Sequence, residues 1–163
     1  MQWTMPGGLS VKVGMDILRR NTDYALRLMV SLARNRENGS VSTRMLADEE
    51  QVSYQLACKL MQRLHDARLV SSCMGPKGGF RLSRAPARIG LLEIVEVIQG
   101  PVRLNRCLMG ETACPRGGYC AIRRKITELQ GHMEEYLSGV TLSDLVDGPK
   151  SRRKQGQSQR RSK

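Results

Sequence analysis

Residues Ser42 to Leu82 read STRMLADEEQVSYQLACKLMQRLHDARLVSSCMGPKGGFRL. Ser42 or Thr43 is placed to cap a short helix carrying Met45, Leu46 and Ala47, which gives way near Gln51. Ser53 caps the next helix, running from about Tyr54 to Ala67, with Leu56, Ala57, Leu60, Met61 and Leu64 as its buried stripe. The opposite face carries Gln55, Lys59, Gln62 and Arg63. Two short helices joined by about four residues, the second with a polar and basic face, form a helix-turn-helix pattern whose second helix enters the major groove. Leu69 to Met74 then reads as a strand, Gly75-Pro76-Lys77-Gly78-Gly79 as a tight turn, and Phe80 to Leu82 as the returning strand. Such a hairpin is a wing. Its glycine-rich tip with a lysine brings main-chain N–H groups and charge close to a sugar-phosphate backbone. A phosphate-binding nucleotide loop is excluded, because no Gly-Lys-Ser/Thr leads into a helix.

Upstream, Ala25, Leu28, Met29, Leu32 and Ala33 recur at helical spacing from Asn21, with Asn21 available as the cap and Asp23 in the first turn. That helix ends in the turn-like stretch 35–40, where Asn38-Gly39 breaks the pattern. Residues 1–14 show no usable periodicity and read as a disordered extension, and Met15 opens the segment MDILRRNTDYALR as a second natural start. Downstream, Gly90 to Gln99 predicts an apolar helix through Leu91, Ile94, Val95 and Ile98, stopped by Gly100 and Pro101. A loop with Cys107, Cys114 and Cys120 follows. Ile122, Ile126, Leu129, Met133 and Tyr136 then step by four, three, four and three, a heptad seam. A long helix following a complete winged domain has little left in its own chain to pack on, so a second subunit is its expected partner. Thr141 to Val146, TLSDLV, reads as a last capped turn.

The fold class expected is mainly α: a winged helix-turn-helix with a small β-hairpin wing and a long C-terminal dimerisation helix. Its segments are 15–88 for the winged domain, 89–120 for a linking helix and the cysteine loop, 121–146 for the dimerisation helix and closing turn, and 147–163 for a basic disordered tail.

The 163 residues fit one domain, and an aromatic content of 4% leaves its core to Leu, Ile, Val, Met and Ala. The net charge of +12 favours polyanionic partners, although seven of those charges lie from Lys150 onward with no acidic residue among them, which leaves the remainder at +5. The tail is expected to be solvated and to add a non-specific DNA anchor. No run of about 18 apolar residues suggests a membrane span, and no signal peptide is evident. Five cysteines, three of them in one loop, fit thiols kept reduced in the cytoplasm better than a disulfide framework. Paired-carboxylate motifs, a nucleophile elbow and a phosphate loop are missing, and His65 and His132 lie far apart in sequence, so neither catalysis nor a small-molecule substrate is expected.

Thiolate ligation needs sulfurs converging on one point, and the glycine- and proline-containing loop CLMGETACPRGGYC can fold around a cluster. Zinc, with His132 or His65 as fourth ligand, and a labile disulfide between two of the cysteines are the alternatives at this stage.

The order of an NTDYALR helix, a helix-turn-helix, a Gly-Pro-Lys-Gly-Gly-Phe wing, an apolar helix, three clustered cysteines, a long helix and TLSDLV resembles the IscR/NsrR family of winged-helix iron-sulfur regulators over 15–146. The resemblance implies a homodimer on palindrome-like double-stranded DNA, mostly repressing transcription. It implies a 2Fe-2S or 4Fe-4S cluster on Cys107, Cys114 and Cys120 that senses nitric oxide, redox state or iron. Asp23 falls where one branch supplies a carboxylate ligand from the other subunit; its plainer role is to favour the helix dipole. Arg123 stands where another branch has a histidine, leaving the fourth ligand open.

The residues expected at the DNA are Ser42, Ser53, Tyr54, Gln55, Lys59 and Arg63 with the wing tip Gly75, Pro76, Lys77, Gly78 and Gly79. Gln55 suits adenine, Lys59 guanine or phosphate, and Arg63 phosphate. Met74 stands where relatives read bases with an arginine. Two other readings stand beside this one: a DNA-binding regulator using a thiol-disulfide or zinc switch, and a small metal-binding enzyme or cluster carrier.

Overall fold

Helix α1, Arg20–Arg34, forms the centre of the molecule because its apolar residues share one face. Ala25, Leu28, Met29, Leu32 and Ala33 are all buried, as their spacing predicts, and α1 packs on every other helix of the winged half and on its last strand. The computed structural model describes residues 2–4, 10–12, 17–75, 78–110 and 119–146. Pro76, Lys77, Cys114 and the basic tail lie outside the described residues.

Within 1–14, where no periodicity predicts an element, β1 (Gln2–Thr4) pairs antiparallel with β2 (Ser10–Lys12). The start of α1 departs from expectation. It begins at Arg20, one residue before Asn21, and Arg19 occupies the cap position with no side-chain cap of its own. Gln99 does the capping from a distant part of the chain: its Oε1 accepts from the Arg19 N–H at 2.9 Å and from the Thr22 hydroxyl at 2.7 Å, and its Nε2 donates to the Ile17 carbonyl at 2.9 Å. A tertiary contact thus satisfies groups that the local sequence leaves open.

Helices α2 (Thr43–Glu49) and α3 (Tyr54–Asp66) follow. Ser42 Oγ accepts from the Met45 N–H at 3.2 Å, and Ser53 Oγ from the Leu56 N–H at 3.4 Å, so of the two candidates for α2 it is Ser42 that caps, and Ser53 caps α3 as predicted. Leu46 and Ala47 are buried, whereas Met45 stands out to solvent beside the cap, because one short helix turns only one face inward. Both helices end in Schellman motifs without glycine. Val52 N–H reaches Ala47 O and Leu69 N–H reaches Leu64 O, each at 2.9 Å, around Gln51 and Arg68 at φ of 52° and 60°. Val52 and Leu69 are themselves buried, so apolar packing holds two side-chain-bearing residues in a conformation that normally favours glycine.

The wing is β3 (Val70–Cys73) against β4 (Gly79–Leu82), in the register Val70–Leu82, Ser72–Phe80. Val41 adds a third rung, exchanging backbone hydrogen bonds of 2.8 and 2.9 Å with Phe80. This approach accounts for Gly79: a Cβ there would lie 2.1 Å from the Val41 carbonyl oxygen.

Helix α4, Leu91–Gln99, buries Leu91, Ile94, Val95 and Ile98. Helix α5 is Ala121–Gly139 and α6 is Leu142–Val146. Asp144 Oδ2 accepts from the Thr141 N–H at 2.8 Å and from its hydroxyl at 2.7 Å, starting α6, which packs back on α1. The expected heptad seam of α5 divides into two faces. Met133 and Leu137 pack on a small second core of Leu91, Val95 and Val102, whereas Ile122, Leu129 and Tyr136 remain 71%, 57% and 73% exposed.

Candidate nucleic-acid interface and cysteine site

Helix α3 exposes a stripe because Ala57, Leu60, Met61 and Leu64 occupy its inner face. Gln55, Lys59 and Gln62 fall along the middle of the outer face, with the Gln62 amide donating to Asp66 at 2.7 Å. Arg63 lies on the flank and is engaged within the fold. Its guanidinium donates to Val97 O at 3.1 Å, a carbonyl near the end of α4 whose helical partner would be the N–H that Pro101 lacks.

On the other flank, Arg44 of α2 stacks over the Tyr54 ring at 5.0 Å. A hydrogen bond with the Cys58 side chain, and that sulfur's charge once ionised, raise the pKa of the exposed Tyr54 phenol above its ordinary value, against a smaller opposing effect of Arg44. Arg44 is a surface cation that reading for helix faces passes over, although its place two residues after the cap could have singled it out. Behind α3, His65 meets Phe80 edge-on at 6.3 Å and Ser72 Oγ at 3.5 Å, tying the helix to the wing. At the wing tip, Gly75 has φ +112°, closes a turn through the Gly78 N–H at 2.8 Å, and follows a fully exposed Met74.

Arg27 of α1 fixes the turn between the two helices. It pairs with Glu50 Oε2 at 3.1 Å and with the Glu50 carbonyl, and Ser31 Oγ donates to Glu49 at 2.7 Å. Asp23, one turn before Arg27, is exposed, with its carboxylate 4.0 Å from that guanidinium. In this chain it stands on the first turn of α1, where an acidic side chain complements the helix dipole.

Cys107 lies in the 3-10 turn Arg106–Leu108, where Asn105 Oδ1 accepts its N–H at 3.3 Å. Cys120 caps α5, its Sγ accepting the Arg123 N–H at 3.4 Å. Both are half-buried free thiols at the two ends of one loop. An N–H aimed at a half-buried sulfur is a contact that a metal-bound thiolate would also use. Because Cys114 lies outside the described residues, no group of three metal-ligating side chains is gathered among those described. Gln130, which sequence patterning misses, is buried in α5 and holds the entry to this loop, accepting from the Leu104 N–H at 2.9 Å and donating to Val102 O at 2.6 Å. Cys58 and Cys73 are half-buried and belong to α3 and the wing.

These features define a winged helix-turn-helix protein with a cysteine-bearing loop ahead of a long helix. The family model Rrf2, described as an iron-dependent transcriptional regulator, matches residues 18–148, and the chain belongs to that family. An HTH-type transcriptional regulator of Azotobacter vinelandii, ORF2, is 33% identical over 123 residues, 76% of this chain and 74% of that protein. The HTH-type transcriptional regulator IscR of Cronobacter sakazakii is 28% identical over 124 residues, 76% of each chain. Among solved structures, CymR of B. subtilis, described as the global cysteine regulator, superposes with a TM-score of 0.71 at 26% identity, over 82% of this chain and 98% of that one. The protein is thus a transcriptional regulator of the IscR and CymR kind. No helix among the described residues is long and apolar enough to cross a membrane.

Proposed function

We propose that the protein is a cytoplasmic homodimeric repressor whose binding to palindrome-like operator DNA is controlled by an iron-sulfur cluster on Cys107, Cys114 and Cys120. The observation that carries the reading is the pair of free, half-buried thiols at the two ends of one loop, Cys120 receiving a main-chain N–H, in a member of an iron-dependent regulator family. When bound, the cluster supplies a redox- and nitric-oxide-reactive centre. The partner subunit's Asp23 is a candidate fourth ligand.

Gln55, Lys59 and Gln62 present the donors and acceptors that read base edges in the major groove. Ser42, Ser53 and Tyr54, with the wing tip of Gly75, Pro76, Lys77, Gly78 and Gly79, supply backbone contacts, and Arg44 adds a cation at the same end of α3. Arg63 braces α3 against α4, which links the reading helix to the elements that lead into the cysteine loop. The exposed stripe Ile122, Leu129 and Tyr136 is the dimer seam.

Anaerobic purification should give protein with thiolate-to-iron absorption and matched iron and acid-labile sulfide, whose counts separate a 2Fe-2S from a 4Fe-4S cluster. Operator binding should differ between cluster-loaded and stripped protein. Protein without iron or sulfide defeats the cluster reading while leaving the DNA reading intact. Truncation before Lys150 should flatten the salt dependence of non-specific binding without changing operator preference.

A second reading, a thiol-disulfide switch, is supported by the likeness to a cysteine regulator and by the free thiols. Single replacements of Cys107, Cys114 and Cys120 by serine separate the two. All three abolish iron uptake and its response if a cluster is bound, whereas a two-cysteine switch tolerates one of them.

A further inference from the structure

A groove of about 290 Å³ lies at the base of the wing, between the end of α1 with its 3-10 turn Arg36–Asn38 and the stretch 81–86. Its apolar lining is Leu32, Leu82 and Pro86, of which Leu32 and Pro86 are buried. Its charged lining is Arg36, Glu37, Arg81 and Arg84. Arg84 is engaged by Glu93. Arg36, Glu37 and Arg81 are exposed, and among the described residues none of their side chains forms an ion pair or a hydrogen bond. Val41 exchanges backbone hydrogen bonds with Phe80, the neighbour of Arg81, which fixes the two sides of the groove to each other. The wing tip lies at the opposite end of β4, and no residue of the groove is among those expected at the DNA.

Two unpaired guanidiniums and an unpaired carboxylate in one groove, with apolar side chains beside them, are complementary to a small molecule that carries both signs of charge and an apolar part. Guanidiniums bind carboxylates through paired N–H donors, and a carboxylate takes up an ammonium group. A phosphate dianion or a nucleic-acid backbone would meet Arg36 and Arg81, but also the like charge of Glu37. The volume of about 290 Å³ is at the small end of ligand pockets, which suits a molecule of few heavy atoms. We propose that this groove is a binding site for a free amino acid with an apolar side chain, its carboxylate held by Arg36 and Arg81, its ammonium by Glu37, and its side chain against Leu82 and Pro86. Such a ligand bridges the end of α1 and the wing while the outer face of α3 stays open.

The test uses the full chain and screens the common amino acids one at a time, with inorganic phosphate beside them, for a rise in the thermal unfolding temperature. At least one amino acid with an apolar side chain should raise it, and phosphate should not. Titration calorimetry then compares that amino acid with its N-acetyl and amide derivatives, which remove the ammonium and the carboxylate in turn. Each derivative should bind at least about tenfold more weakly. Arg36→Gln, Arg81→Gln and Glu37→Gln should each weaken the amino acid by about tenfold, whereas Arg124→Gln on α5 should leave its affinity unchanged. Glu37→Gln should not weaken the N-acetyl derivative further, since that derivative lacks the group Glu37 holds. Where a variant loses its far-UV circular dichroism, amide NMR shifts of the wild type on adding the amino acid take its place, and they should centre on 36–39 and 81–85. No rise with any amino acid, equal binding of phosphate, undiminished binding by the folded variants, or amide shifts centred elsewhere overturns the proposal.

Discussion

The winged half and the cysteine half of this chain are finished to different degrees. In the winged half, α1 to α4 bury a continuous set of side chains, and each helix of the helix-turn-helix starts on a serine cap and ends on a Schellman motif closed by a buried residue. In the cysteine half, α5 turns Gln130, Met133, Glu134 and Leu137 toward its own chain and leaves Ile122, Leu129 and Tyr136 in solvent. The first region is complete as a single chain. The second leaves an apolar stripe in solvent and two half-buried thiols at the ends of its loop, the features on which the proposed dimer and cluster would draw.

The contrast can be tested by perturbing equivalent leucines. Leu28→Ala, at a fully buried site, should cost about 2–5 kcal/mol by urea denaturation, whereas Leu129→Ala should change the stability of the monomer by less than about 0.5 kcal/mol. Equal losses would mean that the two halves share one core. The double variant Leu129→Glu/Tyr136→Glu should leave a folded monomer in sedimentation experiments; a persisting dimer would remove the α5 stripe as the seam. Gln99→Ala removes the hydrogen bonds to Arg19, Thr22 and Ile17 at the start of α1 and should cost about 1–3 kcal/mol, read as earlier hydrogen exchange there. The smallest change should be favourable. Gln51→Gly relieves a left-handed residue in the turn between α2 and α3 and should add up to about 1 kcal/mol by thermal unfolding.

Much of the winged half was legible because its signals are local. Apolar spacing identified the buried faces of α1 and α4 residue by residue, Ser42 and Ser53 announced two helix starts, and Gly90 with Gly100 bounded α4. The turn ends were less legible. Gln51 and Arg68 take the place where glycine is the signal, and what permits them is the burial of Val52 and Leu69. The cap of α1 escaped the sequence for a related reason: Gln99 lies 80 residues from Arg19, so no local window contains both partners.

The site divides in the same way. Gln55 and Lys59 could be placed on an open face from helical period alone, and Cys107 and Cys120 are half-buried thiols at the two ends of the cysteine loop. Arg63 looked equally available by period, yet Val97 O engages it because Pro101 leaves that carbonyl without a partner. Arg44 over Tyr54 and Gln130 beneath the loop are tertiary facts of the same kind.

By itself the sequence determined the elements, their buried faces, the wing and the presence of three clustered thiols, because each depends on residues within a few turns of one another. Only the tertiary structure decided which polar side chains are free to meet a partner and which are already engaged. Hydrogen bonding is satisfied over distance in space, and the residues that complete a helix end or brace α3 come from separate parts of the chain.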